Sequence, residues 1–135
     1  MATILIVDDD LSTVEISTEM LESSGHRVRT GRNGHEGLAS LGVGELPDCV
    51  LLDVDMPGLN GPGMVRQMLL HDAGQETIPV VLVSARRDLA DVARRVGTPY
   101  FLAKASVSYS DNLLTLLDRA LRERRAPRPA EETPS

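Results

Sequence analysis

Five times along this chain a strand-like run hands over to a stretch whose apolar residues recur at helical spacing. The runs are 3–7 (TILIV), 26–30 (HRVRT), 48–52 (DCVLL), 78–83 (IPVVLV) and 99–103 (PYFLA). Helical spacing follows in Leu11, Val14, Ile16, Met20 and Leu21, ended by Ser23-Ser24-Gly25, and then over about 33–41, starting at Asn33 and carrying Leu38 and Leu41. It returns over about 62–73 (Met64, Val65, Met68 and Leu69, stopped by Gly74), 87–96 (Leu89, Val92 and Val96) and 109–124 (Leu113, Leu114, Leu117 and Leu121). Strands alternating with helices predict an α/β fold: a five-stranded parallel sheet joined by right-handed crossovers, with helices on both faces. Strands one, three and four are nearly continuous apolar runs, as central strands should be, whereas His26-Arg27-Val28-Arg29 alternates like an edge.

Open sheets of this kind gather ligands at the carboxyl ends of their strands. There the first strand ends in Asp8, Asp9 and Asp10, the third in Asp53, the fourth in Ser84 and the fifth in Lys104. Consecutive carboxylates repel, so they need a compensating positive charge or must point in different directions. Asp10, just before Leu11-Ser12-Thr13, reads as the cap of the first helix, with Ser12 and Glu15 as an alternative capping box. The remaining carboxylates, with a hydroxyl and an ammonium, suit a divalent cation and a phosphoryl group. Mg2+ is a hard ion that takes a couple of carboxylates, waters and the phosphate itself.

With those residues in place the chain resembles the receiver domains of two-component response regulators. "VDDD" at 7–10, "LLDVDMPGLNG" at 51–61, "VLVSA" at 81–85 and "FLAK" at 101–104 match that family's motifs in order and spacing, over roughly 3–122. The resemblance implies a doubly wound, flavodoxin-like sheet of order 2-1-3-4-5, an order for which a receiver protein is itself a standard example. It implies that Asp53 accepts a phosphoryl group from the phosphohistidine of a sensor histidine kinase or phosphotransfer protein. Asp9, Asp53 and the backbone carbonyl of Asp55 would hold Mg2+, with Asp8 helping through water. Lys104 would balance the phosphoryl charge, Ser84 would hydrogen-bond to it, and Phe101 would be the switch aromatic reporting on the fourth helix, fifth strand and fifth helix. The family's usual proline after the lysine is replaced by Ala105, and its common tyrosine by Phe101.

Bulk properties fit this reading. The 135 residues, 41% hydrophobic and 25% charged, suit one domain, expected over 1–125, with "APRPAEETPS" at 126–135 as a disordered tail or the start of a linker. A net charge of −6 argues against nucleic-acid binding by this domain. No apolar stretch approaches the roughly 20 residues of a membrane span, so a cytoplasmic protein is expected. Cys49 reads as a small buried hydrophobe, and His26, His35 and His71 as surface or packing residues. The expected protein is a signalling module, monomeric or dimerising on phosphorylation, and no enzyme beyond assisting its own phosphorylation and dephosphorylation. A receiver that only docks, without phosphorylation, stays open as a rival. A haloacid-dehalogenase-like phosphatase would share the D-x-D of "LLDVDM", but Pro57 stands where a Thr or Val is wanted and the chain is short for that core. A flavodoxin-like cofactor binder would have to bring a phosphate against Asp8, Asp9 and Asp10.

Overall fold

A computed structural model describes residues 2–70 and 78–125. Elements alternate as expected: β1 Thr3–Val7, α1 Leu11–Ser23, β2 Arg27–Gly31, α2 Gly34–Leu41, β3 Cys49–Asp53, α3 Gly61–Leu70, β4 Val80–Ser84, α4 Leu89–Val96, β5 Tyr100–Ala103 and α5 Tyr109–Arg125. All strand pairs are parallel, in the order β2-β1-β3-β4-β5, so the expected flavodoxin-like winding is the one found. The apolar strands β1, β3 and β4 are central and β2 is an edge.

Alternation along the strands splits the core in two. Leu5, Val7, Val50, Leu52, Val80 and Leu82 face the helices that carry Leu41, Met64, Met68, Leu89 and Val92. Ile4, Ile6, Cys49, Leu51, Val81 and Val83 face Leu21 of α1 and Leu113, Leu117 and Ala120 of α5. This parity positions the site. Continuing it to the last residues of β3 and β4 and one residue past β1 and β5 puts Asp8, Asp53 and Lys104 on the α1/α5 side, and Ser84 on the other.

The helix ends follow local chemistry. Asp10 caps α1: its carboxylate accepts from the backbone N–H groups of Ser12 and Thr13 and from the Thr13 hydroxyl. It therefore displaces the Ser12–Glu15 box. Past the other end of α1, Gly25 adopts φ +91°, a left-handed conformation that glycine takes without steric cost. Asn33 caps α2 by accepting from the Glu36 N–H.

Several expectations shift. Leu11 and Ile16 are 67% and 53% exposed, not part of the apolar face of α1. The inner stripe runs instead through Val14, Ser17 and Leu21, and the polar Ser17 is accommodated by a 3.0 Å hydrogen bond with the Tyr109 hydroxyl. β4 starts at Val80, Ile78-Pro79 being its lead-in, and α4 starts at Leu89 because Arg86 and Asp88 first form a side-chain pair in the preceding turn. Cys49 is fully buried and burial pushes its thiol up to about 12, so it acts as core. His26 packs, its Nδ1 accepting from the Ala2 N–H, and His35 is exposed. The side chain of Leu69, together with His71, Gly74 and 126–135, falls outside what is described. Among the described residues no helix is long and apolar enough to cross a membrane.

Candidate functional site

The expected acids and the lysine meet at one mouth. Asp8 and Asp53 are 2% and 5% exposed, Asp9 is exposed, and a carboxylate oxygen of each lies within 4.8 Å of the others. Lys104 reaches in from the end of β5, its Nζ 3.0 Å from Asp8 Oδ2, 3.6 Å from Asp53 Oδ2 and 3.7 Å from Asp10 Oδ2. Asp8 is fixed further by the Asp10 N–H, which donates to its Oδ1 at 2.9 Å. The Lys104 N–H donates to the Ser84 carbonyl at 2.9 Å, which ties β5 to the end of β4.

The charges are out of balance. Burial, and then the neighbouring Asp8 charge, push the Asp53 carboxyl up to about 7, against the pull of Lys104. Burial works to lower the Lys104 ammonium, but the hydrogen bond to Asp8 and the charges of Asp53, Asp8 and Asp10 outweigh it and hold the pKa above the ordinary lysine value. Asp10 lies below the usual carboxylate range, chiefly because the Thr13 hydroxyl donates to it. One ammonium facing this many carboxylates leaves a negative, oxygen-lined cleft. Its donor set, hard oxygens with two acids buried and one open to water, fits Mg2+.

The other expected residues are placed less directly. Ser84 is buried, and its Oγ accepts from the Arg86 N–H at 3.1 Å. Phe101, opposite Leu82 on edge strand β5, is 41% exposed. The Asp55 side chain turns outward to Arg86, which donates to it at 3.1 Å and pairs bidentately with Asp88. The Lys104–Ala105 bond is trans, like every described peptide bond.

Sequence reasoning missed Arg86, the clamp that joins the loops after β3 and β4; its only signal was the Arg86-Arg87 pair just past Ser84. It also missed why a glycine ends "LLDVDMPGLNG". A Cβ on Gly61 would meet the Asp53 carbonyl oxygen well inside contact distance and the Val54 Cα at 3.1 Å. Those are backbone atoms that cannot step aside as a flexible side chain could, and the Gly61 N–H also donates to the Val54 carbonyl at 3.0 Å. Gly61→Ala is therefore expected to lose about 1–3 kcal/mol in urea unfolding, the usual cost of overpacking. A variant as stable as the parent would show that the loop carrying Asp53 has slack.

Fold and pocket together define the class: small doubly wound α/β domains with an acidic cluster and one lysine at the carboxyl ends of the strands. The chain belongs to the response regulator receiver domain family, whose model matches residues 4–117, and is thus a receiver domain of two-component signalling. It is 43% identical to Protein PilH of Pseudomonas aeruginosa over 106 residues, covering 77% of this chain and 86% of that protein. It is 40% identical to the DNA-binding response regulator MtrA of Mycobacterium tuberculosis over 90 residues, 66% of this chain but only 37% of that protein. Among solved structures, the chemotaxis response regulator CheY4 of Vibrio cholerae superposes with a TM-score of 0.78 at 26% identity, covering 89% of this chain and 98% of that one. Receiver domains generally bind Mg2+ at an acidic pocket, work mainly in signalling and not as enzymes, and imply a histidine kinase or phosphotransfer protein as partner.

Proposed function

We propose that Asp53 accepts a phosphoryl group from the phosphohistidine of a partner kinase or phosphotransfer protein, and that Asp9, Asp53 and the Asp55 backbone carbonyl hold the Mg2+ this requires, with Asp8 assisting through water. The observation that carries this reading is the meeting of Asp8, Asp9 and Asp53 within 4.8 Å of one another, opposite a single ammonium. Bound Mg2+ supplies positive charge for the carboxylate and the incoming phosphoryl oxygens. An Asp53 oxygen attacks phosphorus, the P–N bond to the donor imidazole breaks, and the imidazole leaves with the electron pair. Little covalent chemistry is asked of the protein, so the work is positioning and charge neutralisation. Lys104, already held against Asp8, can turn to the phosphoryl oxygens. Ser84 keeps a hydroxyl hydrogen to donate while accepting from Arg86.

The same reading gives a switch. If Ser84 moves toward the phosphoryl group, the exposed Phe101 ring can rotate inward, which changes the surface formed by α4, β5 and α5. The unit so regulated is 1–125, with 126–135 as tail or linker, working in the cytoplasm as a monomer or a phosphorylation-dependent dimer.

Acetyl phosphate with Mg2+ tests this directly. Intact-mass measurement should show one phosphoryl increment, peptide mapping should place it on Asp53, and Asp9→Ala should be strongly impaired. No uptake by the parent leaves a docking module; uptake at another residue removes the assignment. Beryllofluoride with Mg2+ should shift amide signals from Ser84 to Leu121, and Ser84→Ala should uncouple that response from binding. Shifts confined to the loops around Asp9, Asp53 and Lys104 would exclude the switch.

A further inference from the structure

A groove of about 400 Å3 opens between α3 and α4, on the face of the sheet opposite Asp8 and Asp53, and of its lining the proposed phosphoryl chemistry uses only the backbone carbonyl of Asp55. Its floor is apolar: Val54 and Val92 belong to the core, and Val65 and Val96 pack against it half-buried. Its rim is cationic, with Arg66 from α3, Arg95 from α4 and Arg86 from the loop before α4. Arg86 is engaged with Asp55 and Asp88. Arg66 and Arg95 form no ion pair among the described residues. On a chain of net charge −6, a lining that carries three guanidiniums and the single carboxylate of Asp55 is a local reversal of sign, even with the Asp88 charge acting on Arg95.

We propose that this groove binds a small anionic amphiphile, its carboxylate or phosphate head between Arg66 and Arg95 and its apolar body on the valines. Guanidinium groups match planar or tetrahedral oxyanions with paired N–H donors, and such charge-assisted bonds are stronger than neutral ones. The volume lies within the roughly 300–1,000 Å3 of small-molecule sites. One wall is α4, which has only 8 residues and is about 12 Å long, too short to seat several turns of a partner helix. The groove does not include Asp53, so the unphosphorylated chain and the Asp53→Asn variant are expected to bind equally.

Amide and methyl NMR of the full chain, titrated with 2-naphthoate, tests this. Saturable shifts centred on Val54, Val65, Val92 and Val96 are expected, with at least about tenfold weaker binding in the Arg66→Gln/Arg95→Gln double variant, a difference of about 1.4 kcal/mol. Both arginines are exposed on helices, so the double variant should keep the parent's spectrum elsewhere. Inorganic phosphate and neutral 2-naphthalenemethanol, each with half of the required chemistry, should bind at least about tenfold more weakly than naphthoate. The proposal is overturned by an absence of saturable shifts up to about 5 mM naphthoate, by equal binding of the neutral analogue, or by undiminished binding to the double variant.

Discussion

Asp53→Asn is expected to take up no phosphoryl group and yet, without metal above pH 7, to be more stable than the parent by about 2–4 kcal/mol, on the order of 10 °C in Tm. The two effects share a cause. A nucleophile buried beside Asp8 holds its charge at a cost, and the cost appears as a carboxyl pKa near 7 where an unfolded aspartate has 3.8. Between those values the folded chain binds more protons than the unfolded one, so this group makes stability fall as pH rises from about 4 to 7. Above pH 7 the whole penalty is present. Asparagine does not titrate, so the gap between variant and parent should be near zero at about pH 4 and open through the window to a plateau. Asp10 and Asp88 do not blur this, because their pKa values are lowered: their contributions are in place above the unfolded value and are lost only in stronger acid. Saturating Mg2+ should stabilise the parent by mass action and shrink the gap, binding more tightly as pH rises toward 7 because Asp53 must first lose its proton. Chemical denaturation at several pH values measures all of this. A gap that does not change with pH would mean that Asp53 is not strained by its neighbours.

The place of the strained residue is written into the alternation of its own strand. A period-2 pattern fixes which way each side chain faces, so once Ile4 and Ile6 are core, Asp8 must share their side, and the same holds for Cys49, Leu51 and Asp53. Strand ends then converge because parallel strands all finish at one edge of the sheet. Contacts set by the tertiary structure were not legible. Ile16 has the right chemistry for a core position but the wrong angle around α1, and Ser17 takes the buried place only because Tyr109, 92 residues away in sequence, supplies a partner. The Arg86 clamp depends likewise on the distance between two loops, which no local pattern records. Gly61 could be recognised from the motif, but its reason, the approach of the Asp53 carbonyl, exists only in three dimensions.

Lys104→Met should carry the largest loss of stability, about 3 kcal/mol at pH 8 in metal-free buffer, because it removes the one cation from a buried anionic cluster while retaining an apolar stem of similar length. The Lys104 side chain is 17% exposed and the Asp8 side chain 3%, so water cannot replace the lost partner as it does for a surface pair. The lysine's own contribution is constant across ordinary conditions, since its raised pKa keeps it charged well past neutrality. Any pH dependence of the loss must therefore come from the acids. Without Lys104, Asp53 should hold its proton to still higher pH, and this limits the damage in acid, where Asp53 is neutral in both proteins. The loss is thus expected to shrink toward pH 5.5 and to grow from pH 6 to 9, the direction in which the variant binds more protons than the parent when folded. Saturating Mg2+, bringing positive charge back to the same carboxylates, should recover part of it. A loss that is equal at pH 5.5 and 8 and indifferent to Mg2+ would assign Lys104 a packing role and leave the acidic pocket without its counter-charge.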